Sequence, residues 1–260
     1  MKTMFLGASI LALAIAAPAL AEEQFEPIIS NPAVATAPDD CTGVANNCSV
    51  VEQSGDNQDA TVTQSGEGDI SSITQSGFDN TATVMQKGNE ANVADSIGSL
   101  SDIRQSGSTP ENGSTAEVTQ SDTGLDLDTT NGDYANTSLI EQTAGGNQAF
   151  VTQVNDDIFE ETSTNTSSVY QTATGNEANV DQIGSRQDST VAQNTVGNTA
   201  TVTQGAVNPD TGFFNVSEIT QGGAFGEGGM NNTATVNQGG TPLSFSAGNT
   251  SIIMQNGGQN

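Results

Sequence analysis

The sequence predicts an all-β fold: a two-sheeted parallel β-solenoid of seven or eight strand-turn-strand coils. Three observations lead there. A short phrase, Asn-x-Ala/Ser-x-Val/Ile-x-Gln, recurs sixteen times between Asn47 and Gln255. Its fixed residues are two apart, so in an extended chain all four point to one side. The small residue alternates by copy, as in Ser49, Ala60, Ser71 and Ala82, so successive strands occupy two environments. A strand of this kind cannot bury its inner face alone and must stack on copies of itself. Ser copies should pile into one sheet and Ala copies into the facing one.

Residues 1–21 read as a signal peptide. Lys2 supplies a positive start, Met4 to Ala17 an apolar stretch, and Ala19-Leu20-Ala21 a small-residue cleavage site. The apolar run is shorter than the ~20 residues that a membrane-spanning helix needs. Residues 22–46, with Pro27, Pro32 and Pro38, read as an extended leader. Cys41 and Cys48 are the two cysteines, and in an exported chain they are expected to form a disulfide just before the first strand.

Residues 47–260 form the repeat domain. The central position is Val or Ile in every copy, which suits mid-strand geometry. The closing glutamines are Gln53, Gln64, Gln75, Gln86, Gln105, Gln120, Gln142, Gln153, Gln171, Gln182, Gln193, Gln204, Gln221, Gln238 and Gln255. Clear opening asparagines are Asn80, Asn147, Asn176, Asn198, Asn232 and Asn249. Stacked at the ~4.8 Å strand spacing, Gln should lie over Gln and Asn over Asn. A primary amide both donates and accepts, so such columns can hydrogen-bond along the stacking axis. One copy, Ala91 to Asp95, follows another Ala copy and lacks the closing Gln. It reads as a degenerate strand or as a connection.

Charge placement agrees with this design. Removing Lys2 with the signal takes the formal charge from −27 to −28. Only Lys87, Arg104 and Arg186 remain as cations, which argues against nucleic acid and anionic lipid as partners. Among the ladder positions only Asp69 and Asp95 are charged. The remaining acids are expected where water reaches them, since a buried unpaired charge is costly. The last copy, Asn249 to Gln255, is as regular as any. An end carrying the same ladder as every other coil is a docking edge for another molecule.

At this point the residues resemble a family. Gln75-Ser-Gly77-Phe-Asp-Asn80-Thr-Ala82-Thr-Val-Met-Gln86 is similar to the curlin repeat, Gln-x-Gly-x-x-Asn-x-Ala-x-x-x-Gln, of curli subunits. The likeness runs from about Asn47 to Gln255. It implies a secreted functional amyloid of Gram-negative bacteria that assembles into biofilm matrix fibres. It also implies self-association, a nucleator subunit, and export through a dedicated outer-membrane pore addressed by the leader.

Other readings carry less. Outward threonines such as Thr61, Thr63, Thr81, Thr83, Thr201, Thr203, Thr233 and Thr235 would suit a monomeric surface adhesin or an ice- or polysaccharide-binding solenoid. Threonine is nonetheless favoured in strands for its own sake. Two acidic clusters, Asp122, Asp126, Asp128 and Asp133, then Asp156, Asp157, Glu160 and Glu161, offer oxygen ligands for calcium, though neither has a calcium-loop pattern. The chain has no histidine and no recognisable catalytic frame, so neither enzyme activity nor a cofactor is expected.

Overall fold

A β-branched centre with alternating neighbours favours extended backbone, and the copies fold accordingly. The computed structural model describes residues 35, 37, 41, 47–66, 68–88, 98–122, 134–155, 164–184, 186–205, 215–222, 231–239 and 249–255. The expected signal peptide and the Ala91–Asp95 copy lie outside the described residues. So do both acidic clusters apart from Asp122.

Among the described residues, fifteen strands follow one another. They begin with β1 (Cys48–Asp56), β2 (Asp59–Ser65), β3 (Ile70–Phe78), β4 (Thr81–Lys87) and β5 (Leu100–Gln105). Next come β6 (Thr115–Asp122), β7 (Asn136–Gln142), β8 (Gln148–Asn155), β9 (Asn165–Gln171) and β10 (Glu177–Ile183). The last are β11 (Gln187–Gln193), β12 (Thr199–Gly205), β13 (Asn215–Gln221), β14 (Thr233–Gly239) and β15 (Thr250–Gln255).

The odd strands, all Ser copies, form an eight-stranded sheet in sequence order; the even strands, all Ala copies, form a seven-stranded sheet. Neighbouring strands pair in parallel, and like stands over like. Ser49 pairs with Ser71, Val51 with Ile73 and Gln53 with Gln75. In the other sheet Ala178 pairs with Ala200, Val180 with Val202 and Gln182 with Gln204. The protein is a two-sheeted parallel β-solenoid of seven coils and a closing half-coil, β15. Strand β3 pairs directly with β5, and β4 with β6.

The core is the thin layer between the sheets. Ile73, Val84, Ile103, Val118, Ile140 and Val169 are fully buried and join Ala82, Ala116 and Ala149 in one cluster. Each buried aliphatic side chain of this size contributes about 1.5–3 kcal/mol. Alanine and serine let the sheets close on one another.

Turns are stacked as the strands are. β1 and β3 run past their glutamines through Gly55 and Gly77, which pair. Gly55 has φ 118°, and a Cβ there would stand 1.9 Å from the Gly77 carbonyl oxygen. Only glycine fits. The non-glycine residues Asn57 and Asp79 take φ 55° and 52° at the next corners, a conformation their short polar side chains tolerate.

Two findings depart from the sequence reading. The leader does more than extend: Ala35 and Cys41 are buried against Ile70, Leu100 and Leu139 on the outer face of the Ser sheet. Cys41 and Cys48 are joined as a disulfide, which ties the leader to the first strand. Nor are all acids outside the ladders in water. Asp102 and Asp122 are buried, and Asp102 forms an ion pair with Arg104, two residues along the same strand. Pairing offsets the cost of burying that charge.

Candidate self-assembly site

The glutamines build two continuous amide chains. In the Ser sheet, Nε2 of each donates to Oε1 of the next through Gln53, Gln75, Gln105, Gln142, Gln171, Gln193, Gln221 and Gln255, at 2.8–2.9 Å. In the Ala sheet the same chain runs through Gln64, Gln86, Gln120, Gln153, Gln182, Gln204 and Gln238, again at 2.8–2.9 Å. Every bond points toward the C-terminal end, so each chain presents an acceptor at one tip and a donor at the other.

The same Nε2 groups also tie the sheets together, which stacking alone does not require. Gln86 Nε2 donates to the carbonyls of Ile70 and Ser99, at the starts of two successive Ser strands. Gln193 does so to Glu177 and Asn198. Each strand therefore sits half a rung above its predecessor in the opposite sheet. Gln75 through Gln221 in one sheet and Gln86 through Gln238 in the other are buried, whereas Gln53 is exposed and Gln64 and Gln255 are half-buried.

The asparagines work differently from the expected amide-on-amide column. Oδ1 of Asn147 accepts the backbone N–H of Asn176, Asn176 that of Asn198, and Asn198 that of Asn232. Asn80 Oδ1 takes the N–H of Ser114. Their Nδ2 groups turn back to carbonyls of their own corners: Ser76, Ala144, Ala173 and Thr195. Direct amide contact occurs at Asn136–Asn165 and Asn215–Asn249. Asparagine is thus a corner clamp, because its short side chain reaches the backbone more readily than another amide. Asn80, Asn147, Asn176, Asn198 and Asn232 are buried, and Asn249 is exposed.

One substitution in the ladders shows what its position demands. Asp69 takes an asparagine place: its N–H donates to Asn47 Oδ1, and its Oδ1 accepts from Ser99 N–H. Burial pushes its carboxyl up to about 6, against the pull of the Ser99 and Gly88 amides. The serine column is poorly matched by comparison. The hydroxyls of Ser71, Ser101, Ser138 and Ser217 are buried without a hydrogen-bond partner.

The ends are open. Strands β1 and β15 each have one neighbour in the Ser sheet, and β2 and β14 each have one in the Ala sheet. At the first tip no described group donates to Oε1 of Gln53 or Gln64, and Val51 is 43% exposed although its counterpart Ile73 is fully buried. At the other tip Gln255 Nε2 donates to Thr233. Its counterpart Gln221 reaches Thr199, Asn232 and Gln255. Asn232 is fully buried, yet both its side-chain polar atoms lack a partner.

Among the described residues no group of acidic or sulfur side chains is placed to hold a metal ion. No family model, curated protein or solved structure matches the chain.

Proposed function

We propose that this protein is a secreted structural subunit that assembles by edge-to-edge β-stacking into extracellular, curli-like amyloid fibres serving adhesion and biofilm matrix. The observation that carries the reading is that, among the described residues, both sheets end at both tips on parallel strands paired on one side only, with the same ladder side chains as the interior. Exposed edges recruit strands. Strands stacked in register satisfy backbone and side-chain amides together. On this reading the partner is another copy, started by a nucleator and delivered through a curli-type outer-membrane pore. Purified mature protein should form thioflavin-positive fibres with a ~4.7 Å meridional reflection. A chain that stays monomeric, without that reflection, would overturn the proposal.

A further inference from the structure

Among the described residues the strand count is odd, and that constrains how one copy meets the next. Chain order alternates Ser sheet, Ala sheet, half a rung at a time, starting with β1 and finishing with β15. Both tips therefore end on a Ser-sheet strand. If successive copies stacked in phase, β1 of the next copy would lie on β15. The Ala sheet would then pass from β14 to β2 of the next copy with one rung missing. Two strand edges and the buried Asn232 amide would stay unpaired inside the fibre.

Resting on the stacking reading above, the geometry points to a different joint: each copy is turned by half a revolution about the fibre axis relative to the last. Its β1 then lies on β14 and its β2 on β15. A half-turn exchanges the two sheets and keeps their strand directions, so all four free edges pair in parallel and no rung is skipped.

The side chains fit this joint. Asn47, Ser49, Val51 and Gln53 of the next copy come over Asn232, Ala234, Val236 and Gln238. Small stands on small, valine on valine and amide on amide. Asn232 Oδ1 then accepts the Asn47 N–H, as Asn47 Oδ1 accepts that of Asp69 within a copy. Gln238 Nε2 gains the axial acceptor that every glutamine before it in that sheet has. Gln255 meets Gln64 of the next copy and finds a second carbonyl at its Asn47. Each copy advances the fibre by seven and a half rungs, about 36 Å at the ~4.8 Å spacing.

The test uses two double-cysteine variants of the mature chain, oxidised after assembly and run without reductant. The half-turn joint brings the outward Glu52 beside Asn237 of the previous copy. The in-phase joint brings it beside Met254. Adjacent strands lie within disulfide reach. Glu52→Cys with Asn237→Cys should give a ladder of covalent multimers, and Glu52→Cys with Met254→Cys should remain single chains. The reverse pattern, or no multimers from either variant in fibres that give the ~4.7 Å reflection, overturns the joint and leaves stacking itself intact. Absence of fibres from the unmodified chain removes both. A second readout is Asn232→Ala. It should not lower monomer melting, because the side chain has no partner within one copy, and it should slow seeded elongation about five-fold, the loss of one buried hydrogen bond. An unchanged elongation rate counts against the joint.

Discussion

Gln171 donates from Nε2 to Oε1 of Gln193 at 2.8 Å and, through the same nitrogen, to the carbonyl of Gln148 across the core at 2.9 Å. One side chain therefore holds the next rung and the facing sheet. A ladder glutamine is a two-dimensional fastener, and its removal should be felt in both directions.

Gln171→Ala strands the Gln142 donor and the Gln193 acceptor in a dry interior and opens a cavity. The expected loss is about 3–5 kcal/mol, read from urea unfolding. Gln53→Ala, on the exposed first strand, should cost under about 1 kcal/mol. Equal effects at the two positions would mean that the buried chain of amides contributes little.

Ser138→Ala should stabilise the monomer. The hydroxyl is buried and unpartnered, and removing such a group relieves a desolvation penalty of about 1 kcal/mol. A rise in the urea midpoint at constant slope is the expected result. A fall would show that the hydroxyl has a role in the serine column.

Asp69→Asn should stabilise the protein at neutral pH and have little effect in acid. The folded-state carboxyl titrates near 6 against 3.8 for the free group. Between those values the native state keeps a proton that the unfolded state releases. The wild type is therefore most stable below pH 4 with respect to this group, and it loses stability as pH rises to 6. The variant escapes that loss, a gain of about 3 kcal/mol at pH 7. Thermal melts at pH 4 and pH 7 check it, and a gain of equal size at both would contradict the assignment.

Assembly should quicken as the solution is acidified from pH 7.5 to 5, and as salt is added. The chain carries a formal charge of −27 at pH 7 before signal removal, and self-repulsion opposes association. Protonation near pH ~4 and above reduces it, and salt screens it. Lag times from seeded and unseeded thioflavin traces measure the effect. A longer lag at pH 5 in matched salt would refute it.

The ladder register was legible because the small residue, the Val or Ile and the closing Gln recur at every rung: Val202 could lie only over Val180, and Gln204 over Gln182. The sheet assignment followed from Ser and Ala alternation. What the phrase did not reveal was where a polar side chain finds its second partner. The Gln86 bond to Ile70 depends on the half-rung stagger of the two sheets, and nothing in a single strand encodes that offset. Asn176 looked like a stacking amide. Its reach, one methylene shorter than glutamine, instead turns it to the corner carbonyl of Ala173. The docking of Ala35 and Cys41 was equally hidden. The patch they cover is made of the outward residues Ile70, Leu100 and Leu139, which fill variable places of their copies and match nothing periodic in the leader.

The paired glutamines are separated by 22 residues at one rung and 37 at another, yet the contact distance is 2.8 Å at both. Length added at a corner is invisible to the spine. A foreign epitope or enzyme spliced in between Gln204 and Asn215 should therefore be carried without disturbing the scaffold and, on the proposed assembly, displayed once per subunit.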